Sequence, residues 1–218
     1  MKKSIGSRLG TLLTALTGVC FLVSFSVVLV LNLRQIYYHD AKELRLAEQA
    51  GLTEEQLREN YDVLIDYNLI WTGVDELEFP DFPMSEHGRI HFEEVRRIFI
   101  GLQVLMIVSL GLLIFGLWSK IRKEAYECLR MTAVLSLVIP TVLGAAVAWN
   151  WEWFFVTFHR IAFSNDYWLF DPSVDPIIEV LPDIFFLHCA GAVLLCLVAG
   201  SAAAWVAYRI LIGRAKRS

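Results

Sequence analysis

Four long stretches without a charged side chain constrain this sequence more than any other feature. They cover residues 10–33, 98–118, 131–149 and 184–208. As an α-helix rising about 1.5 Å per residue, each can cross a hydrocarbon core of about 30 Å. Backbone amides in lipid are satisfied only within helices or closed barrels, and barrel strands are much shorter than these stretches. The sequence therefore predicts four transmembrane helices.

The composition excludes two broad classes of protein. Hydrophobic residues make up 56% of the 218 residues and charged residues 19%, and the mean hydropathy is +0.53. A soluble domain carries about 25% charged residues and fewer apolar ones. A soluble nucleic-acid-binding protein and a cytosolic enzyme are therefore excluded. We expect one integral membrane domain over residues 1–218, with the lipid bilayer as its surroundings and no nucleic acid as a partner.

Charge is divided unequally among the segments outside these stretches. Residues 1–9, 119–130 and 209–218 hold eleven basic and two acidic residues, a net charge of +9. Residues 34–97 and 150–183 hold eight basic and twenty-one acidic residues, a net charge of −13. Basic residues in short loops are retained in the cytoplasm. We therefore expect an all-α membrane protein with both termini cytoplasmic, in which the two acidic loops form an extracellular cap.

The first cap loop carries several local structure signals. Thr53 and Gln56 form a capping box, and apolar residues recur at helical spacing over about residues 57–68. The two prolines within residues 77–84 forbid a helix, so we expect an extended apolar strap at the lipid surface. Ser85 can then cap a helix that continues directly into the second apolar stretch.

Two histidines lie at comparable depths beside the predicted membrane. His91 is seven residues before the second stretch, about 10 Å if helical, and His159 is ten residues after the third, about 15 Å at most. An imidazole titrates near about pH 6.5, so two of them can act as base and acid at neutral pH. The segment 165–172 mixes rings, an amide and carboxylates, which favours a folded pocket wall. The histidines are thus a candidate catalytic pair.

A competing arrangement would place a metal on one face of the helix that follows Ser85. His87, His91 and Glu94 share that face. Gly88, however, stands where a zinc protease of the usual kind carries glutamate. No two cysteines have a metal-ligand spacing, and none lies in the cap loops to form a disulfide framework. We expect His188, inside the fourth stretch, to pack within the helix bundle.

Two motifs connect these residues to a known family. The first is Pro80-Asp81-Phe82-Pro83-Met84-Ser85 followed by His91-Phe92-Glu93-Glu94-Val95-Arg96. The second is Phe158-His159-x-Ile161-x-Phe163-x-Asn165-Asp166-x-Trp168, followed by Asp171-Pro172, Asp175-Pro176, Leu181-Pro182 and Phe185-Phe186. With four apolar stretches and a cap between the first two, the chain resembles the lipoprotein intramolecular transacylases, integral membrane enzymes of Gram-positive bacteria. The resemblance covers essentially the whole chain.

The resemblance implies an acyltransferase of the bacterial cell membrane, with its active site at the extracellular membrane interface. Its substrate would be a diacylated lipoprotein with a free α-amine on the N-terminal cysteine. The sn-2 acyl chain would move onto that amine and give a lyso-form lipoprotein. The family's catalytic histidines correspond to His91 and His159. No cofactor or metal is implied, because an ester is exchanged for an amide within one molecule.

The reaction needs confinement, because amine attack closes a medium-sized ring across the glyceryl thioether. Aromatic side chains near His159 would form a cage, and an amide would help to stabilise the oxyanion. The candidate substrate-binding residues are Trp151, Trp153, Phe158, Asn165 and Trp168. Glu94 or Asp166 would orient an imidazole. Either histidine could be the base.

Two other functions are compatible with this sequence. A non-catalytic scaffold or receptor with an acidic binding cap explains the topology equally well. It does not explain two histidines at the depth of a ring-rich loop. A metal-dependent membrane hydrolase would use His87, His91 and His159, and sensitivity to chelators would separate it from a transacylase.

Overall fold

The computed structural model describes residues 5–122 and 125–217, and every regular element in them is helical. The helices are α1 (Ile5–Asn32), α2 (Gln35–Glu43), α3 (Leu46–Ala50), α4 (Glu54–Tyr67), α5 (Glu86–Ile121), α6 (Glu127–Trp149), α7 (Trp151–Ala162), a 3₁₀ helix (Pro176–Val180) and α8 (Asp183–Ala215). The predicted all-α class is confirmed. Of the charged residues counted above, Lys2, Lys3, Lys123 and Glu124 lie outside the described residues.

Within this described part, four helices are long and apolar enough to cross a membrane: α1, α5, α6 and α8. They contain the four predicted spans and confirm that prediction, apart from Leu33, which follows the end of α1. The helix predicted to start after Ser85 is also confirmed, since α5 runs for 36 residues from Glu86. The Ser85 Oγ accepts a hydrogen bond from the Gly88 N–H at 3.0 Å, as a helix cap does. His91 is therefore carried on the same continuous helix as the second span.

The chain divides into two compact units, of which the first comprises Met1–Val27, Leu102–Ala145 and Val193–Ser218. Three glycines in it let neighbouring side chains approach closely, since an added Cβ would lie 2.6–2.9 Å from a side-chain atom: Gly18 beside Thr132, Gly116 beside Thr14 and Gly200 beside Leu22. The hydroxyls of Ser136 and Ser201 are hydrogen-bonded at 2.6 Å. Small residues and hydroxyl pairs of this kind are typical of helix packing in lipid.

The second unit comprises Val28–Gly101 and Ala146–Ala192. Its apolar core is centred on Tyr37, whose ring stacks on Tyr61 at 3.8 Å and meets the edge of Phe185 at 5.3 Å. The Tyr37 hydroxyl donates to the Val180 carbonyl at 3.0 Å. The capping box of Thr53 at the start of α4 is confirmed. Burial of α2, α4 and the 3₁₀ helix around these rings gives this unit its own core.

The strap over residues 77–84 contains no helix, as its prolines predict, and it bends at Pro80 and Asp81. Its apolar side chains do not lie free on a lipid surface, because Leu77 is buried and Phe79 and Phe82 pack against the core of the second unit. The buried amide of Asn60 fixes the strap: its Nδ2 donates to the Asp81 carboxylate at 2.7 Å, and its Oδ1 accepts from the Asp81 N–H at 3.2 Å. A buried amide needs such partners, and this pairing sets the path of the strap.

The prediction that His188 packs within the helix bundle is wrong. Its side chain is 50% exposed, and its Nδ1 donates to the Asp40 carboxylate at 2.9 Å. Asp40 is buried. A buried carboxylate is costly without hydrogen-bond partners. His188 therefore serves as a partner for Asp40.

Candidate active site

His91 and His159 lie together in the second unit, with ring centroids 6.2 Å apart. His91 comes from the second turn of α5, and His159 from the last turn of α7. A single residue, Asn150, separates α7 from α6, and its side chain accepts from the Trp153 N–H at 2.9 Å. This cap starts a new helix immediately after the third span. The pair predicted from the sequence is thus brought within contact distance.

His159 has one ring nitrogen fixed by the backbone. Its Nδ1 lies 2.8 Å from the Phe155 carbonyl oxygen, one helical turn earlier. A carbonyl oxygen only accepts hydrogen bonds, so Nδ1 carries the proton and the neutral ring has its lone pair on Nε2. Burial lowers the pKa of His159, and the hydrogen bond to Phe155 opposes that effect more weakly. His159 is therefore suited to accept a proton through Nε2.

His91 is only 6% exposed and is surrounded by aromatic rings. It meets Phe163 edge-on at 4.8 Å and Phe170 edge-on at 5.4 Å. Among the described residues, its buried Nδ1 has no hydrogen-bond partner. Nearly all buried polar atoms in proteins are paired. The unpaired nitrogen of His91 is therefore available to a bound molecule.

Two more buried polar atoms near the histidines lack a partner within residues 5–122 and 125–217: the indole Nε1 of Trp168 and the Oε2 of Glu94. Trp168 lies with its ring 4.9 Å from that of His159. Glu94 follows His91 by one helical turn on the same face of α5. A donor, an acceptor and an imidazole nitrogen are thus left unpaired in one ring-lined region. These groups define a candidate binding site.

The predicted orienting carboxylates have other surroundings in the structure. The Glu94 Oε1 accepts from the Asn165 Nδ2 at 2.9 Å, and the Asn165 Oδ1 accepts from the Tyr167 N–H at 3.0 Å. The side chain of Asp166 is exposed. The group that orients His159 is the carbonyl of Phe155, because α7 places it directly against the ring. Glu94 instead positions Asn165.

The predicted aromatic cage is only partly assembled around His159. Trp168 is buried beside it, and Phe158 meets its ring edge-on at 5.4 Å. Trp151 lies about two turns before His159, at the start of α7, with its ring 5.7 Å from that of Phe155. Trp153 is 57% exposed. Because a helix turns by about 100° per residue, Trp153 projects about 120° around α7 from His159.

Three rings that contact the histidines were absent from the predicted set. Phe155 lies 4.1 Å from His159, Phe163 lies 5.6 Å from His159 as well as close to His91, and Phe170 flanks His91. The first two are four residues before and after His159, and residues at that spacing are neighbours on a helix. That spacing was a usable sequence signal for Phe155. Phe170 lies in the segment 165–172 that the sequence favours as a pocket wall, but no spacing linked it to His91, because it reaches His91 from a separate loop.

A buried carboxylate holds the loop of Phe170 against the start of α5. Asp175 accepts from the Ser85 N–H at 2.7 Å and from the Ser85 hydroxyl at 2.6 Å. The approach is so close that a Cβ on Gly88 would lie 2.4 Å from the Asp175 Oδ1 and 3.2 Å from the Phe170 ring. Gly88 is therefore required for the ring to reach His91.

His87 is exposed and does not join His91 and Glu94. Its ring stacks on Tyr167 at 4.1 Å. Across the described ranges, no group of three or more histidine, cysteine, aspartate or glutamate side chains is placed to hold a metal ion. The geometry thus gives the metal arrangement considered from the sequence no support.

A groove of about 440 Å³ opens beside the histidines, between α5 and the end of α7. It is lined by Glu94, Arg97, Ile98, Arg160, Ile161, Ala162, Phe163 and Ser164. Phe163 is shared between this groove and both imidazoles. The groove and the ring-lined region therefore share Phe163 as a wall.

Comparison with known proteins gives a consistent result. The family model described as "Lipoprotein intramolecular transacylase Lit" matches residues 12–186. The in meso structure of the membrane integral lipoprotein intramolecular transacylase Lit from Bacillus cereus is similar at a TM-score of 0.93 and 34% identity, over 97% of this chain and 98% of that one.

Two structures of the same Bacillus cereus protein with one histidine replaced are also similar. The histidine-to-arginine form has a TM-score of 0.86 and 33% identity, over 96% of this chain and 93% of that one. The histidine-to-alanine form has a TM-score of 0.87 and 33% identity, over 97% and 96%. No curated protein sequence gave a significant match.

Proposed function

This chain belongs to the lipoprotein intramolecular transacylase family, and from that membership we propose which acyl transfer it catalyses. It is an acyltransferase with four membrane-spanning helices. In our proposal it moves the sn-2 acyl chain of a diacylglyceryl lipoprotein onto the α-amine of the N-terminal cysteine. The product is a lyso-form lipoprotein. The observation that carries this proposal is the histidine pair, 6.2 Å apart, of which His91 is buried and His159 partly buried, in a ring-lined region with unpaired polar atoms.

His159 is the base in this mechanism. An α-ammonium with a pKa near about 8 must lose a proton before its nitrogen can attack an ester. The bare Nε2 of His159 takes that proton, since Nδ1 is committed to Phe155. After the amine attacks, its nitrogen loses a second proton as the amide forms, and His159 returns one proton to the departing glyceryl oxygen, so that one proton is released to solvent overall. The ester bond is broken, an amide bond is formed, and the sn-2 hydroxyl is left free.

His91 is the electrophilic partner. The ester carbonyl develops negative charge when the amine attacks, and a positioned donor stabilises it most where water is excluded. His91 is buried among rings and has no partner for its Nδ1 among the described side chains and backbone groups. A neutral imidazole can donate one N–H to the carbonyl oxygen. The indole N–H of Trp168 is a second donor available in the same region.

The rings supply confinement. Intramolecular attack across a thioether requires two flexible arms of the substrate to meet, and orientation of this kind can contribute about 7 kcal/mol or more. Phe163 and Phe170 pack on His91, while Phe155 and Trp168 pack on His159. These rings flank the imidazole pair on both sides, which supports a role for them in holding amine and ester together.

We place the site at the outer surface of the bacterial membrane. His91 lies in α5 just before the apolar residues 98–118, and the loops that carry the site are acidic. Positively charged residues are concentrated in the other segments, including both ends of the chain. By the positive-inside rule the termini are cytoplasmic. A lipoprotein anchored in the outer leaflet would present its acylated cysteine at the height of the histidines.

The test is to express the protein in cells that make only diacylated lipoproteins and to analyse a reporter lipoprotein. Acyl transfer within one molecule leaves the total mass unchanged. Tandem mass spectrometry distinguishes an N-acylated cysteine from a free amine beside two O-linked chains. We expect the N-acylated lyso form to appear only with the protein. An unchanged reporter, with the protein abundant in the membrane, would refute the proposed transfer. It would favour a non-catalytic protein whose acidic cap binds a partner.

A further inference from the structure

The carboxylate of Glu94 is only partly satisfied within the described part of the chain. Its Oε1 is held by Asn165 at 2.9 Å, and its buried Oε2 has no hydrogen-bond partner among the described residues. Within the same residues no lysine, arginine or histidine forms an ion pair with it. The neighbouring Arg97 pairs with Glu93 at 3.8 Å instead. A buried carboxylate oxygen left in this state is costly unless a cation or donor arrives from outside.

Glu94 lies both at the groove and beside His91. Glu94 lines the groove of about 440 Å³ that ends at Phe163, and it follows His91 by one turn on the same face of α5. Side chains at that spacing lie about 5–6 Å apart at their Cβ atoms. A group held by Glu94 is therefore adjacent to the imidazole of His91.

We propose that Glu94 binds the α-ammonium of the substrate's N-terminal cysteine. This inference rests on the proposed function, which makes a primary amine the attacking group. Asn165 holds Oε1, so that Oε2 faces the incoming ammonium and forms a charge-assisted hydrogen bond with it. The ammonium then gives up one proton to His159, and its nitrogen attacks the ester.

The ion pair also distinguishes substrate from product. Acyl transfer converts the ammonium into a neutral amide, which has no charge to pair with Glu94. The product loses this interaction at the moment it forms. Glu94 therefore selects lipoproteins with a free amine and favours release of those already acylated.

The test measures binding without turnover, in a His159→Gln background that removes the base. One ligand is a synthetic diacylated lipopeptide with a free amine, and the other is the same lipopeptide N-acetylated. We expect the free amine to bind at least about tenfold more tightly near neutral pH, as a charge-assisted hydrogen bond in a buried site allows. Adding Glu94→Gln should reduce that preference to about twofold or less.

Glu93→Gln is the matched control. It removes the same charge from the adjacent residue, whose carboxylate pairs with Arg89 and Arg97. The preference for the free amine should survive in this control. A preference that persists undiminished in Glu94→Gln would overturn the proposal, as would equal binding of both lipopeptides to the protein that retains Glu94.

A second measurement needs no change at Glu94. The preference should weaken as the pH rises through the pKa of the α-amine, near about 8, because only the ammonium pairs with a carboxylate. A preference that is constant from pH 6 to pH 10 would exclude ammonium recognition. These outcomes are separate from those of the reporter assay. If the lyso-form product appears but the protein does not prefer the free amine, only the role of Glu94 is refuted. If the protein prefers the free amine but no product appears, only the proposed acyl transfer is refuted.

Discussion

The two histidines are held in different ways, and this difference supports the roles that we propose for them. His159 has its Nδ1 fixed by a carbonyl of its own helix. His91 has its Nδ1 buried without a partner among the described groups. A fixed tautomer suits a base that must present one lone pair, and an open nitrogen suits contact with a substrate.

At the residue scale, His91→Ala and His159→Ala should each abolish formation of the lyso-form reporter. Loss of a general acid or base lowers the rate by about 100-fold to 10,000-fold. Because the two act in one step, the double variant should be little slower than either single variant. Tandem mass spectrometry of the reporter and membrane abundance of each variant give the measurement.

His87→Ala and His39→Ala serve as controls for these substitutions. Both side chains are exposed, and the ring of His87 stacks on Tyr167 instead of facing the other histidines. Both controls should retain most of the activity. Near wild-type conversion by His159→Ala at normal abundance would falsify the mechanism.

The protonation of His159 gives a second residue-scale prediction. Burial lowers its pKa below the ordinary value of about 6.5. The ring should therefore stay neutral at mildly acidic pH, and activity that depends on it should decline only below about pH 6.5. Histidine-labelled protein in nanodiscs, studied by nuclear magnetic resonance with His159→Gln for assignment, measures the titration. A midpoint at or above that of a free histidine would contradict the burial argument.

At the scale of elements, the start of α5 and the loop that carries Phe170 depend on each other. Asp175 joins them through both polar groups of Ser85. The two residues are 90 positions apart in the chain. Since α5 also carries His91, this contact sets the wall of the site as well as the fold of the loop.

Gly88→Ala should disrupt that contact. Its Cβ would lie 2.4 Å from the Asp175 Oδ1, so the carboxylate must move away from Ser85. Loss of buried hydrogen bonds to a charged group should lower the free energy of unfolding by about 1–3 kcal/mol. Activity should fall as well, because Phe170 is displaced from His91. Thermal unfolding in detergent and conversion of the reporter measure the two effects.

Gly101→Ala is the control on the same helix. An added Cβ there meets no atom within 4 Å. It should leave activity unchanged and stabilise α5 by up to about 1 kcal/mol, since alanine favours helix over glycine. If Gly88→Ala were as stable and active as Gly101→Ala, the contact with Asp175 would have no role in shaping the site.

For the whole molecule, the charge distribution predicts the topology. In a background lacking Cys20, Cys128, Cys189 and Cys196, Ser173→Cys should react with an impermeant thiol reagent in intact cells. Ser119→Cys should react only after the membrane is permeabilised. The reason is the net charge of +9 in the segments that include residues 119–130, against −13 in the long loops. Labelling of Ser119→Cys from outside would show that the orientation is the reverse of the one predicted.

The sequence by itself determined the properties that depend on short stretches of chain. Runs of apolar residues predicted the four spans, which the helices α1, α5, α6 and α8 confirm. Local signals also predicted the Ser85 cap and the capping box of α4. The depth of the two histidines followed from their distance to the spans. Hydropathy, helical periodicity and capping are local, so no knowledge of the fold was needed.

Only the tertiary structure decided which groups surround those histidines. The Ser85–Asp175 contact, the approach of Phe170 to His91 and the Asp40–His188 pair join residues far apart in the chain. The exposure of Trp153 and the pairing of Glu94 with Asn165 likewise changed the predicted site. Such contacts depend on how separate helices and loops are packed. Buried polar atoms must then find partners wherever packing leaves them, and periodicity in the sequence does not specify those partners.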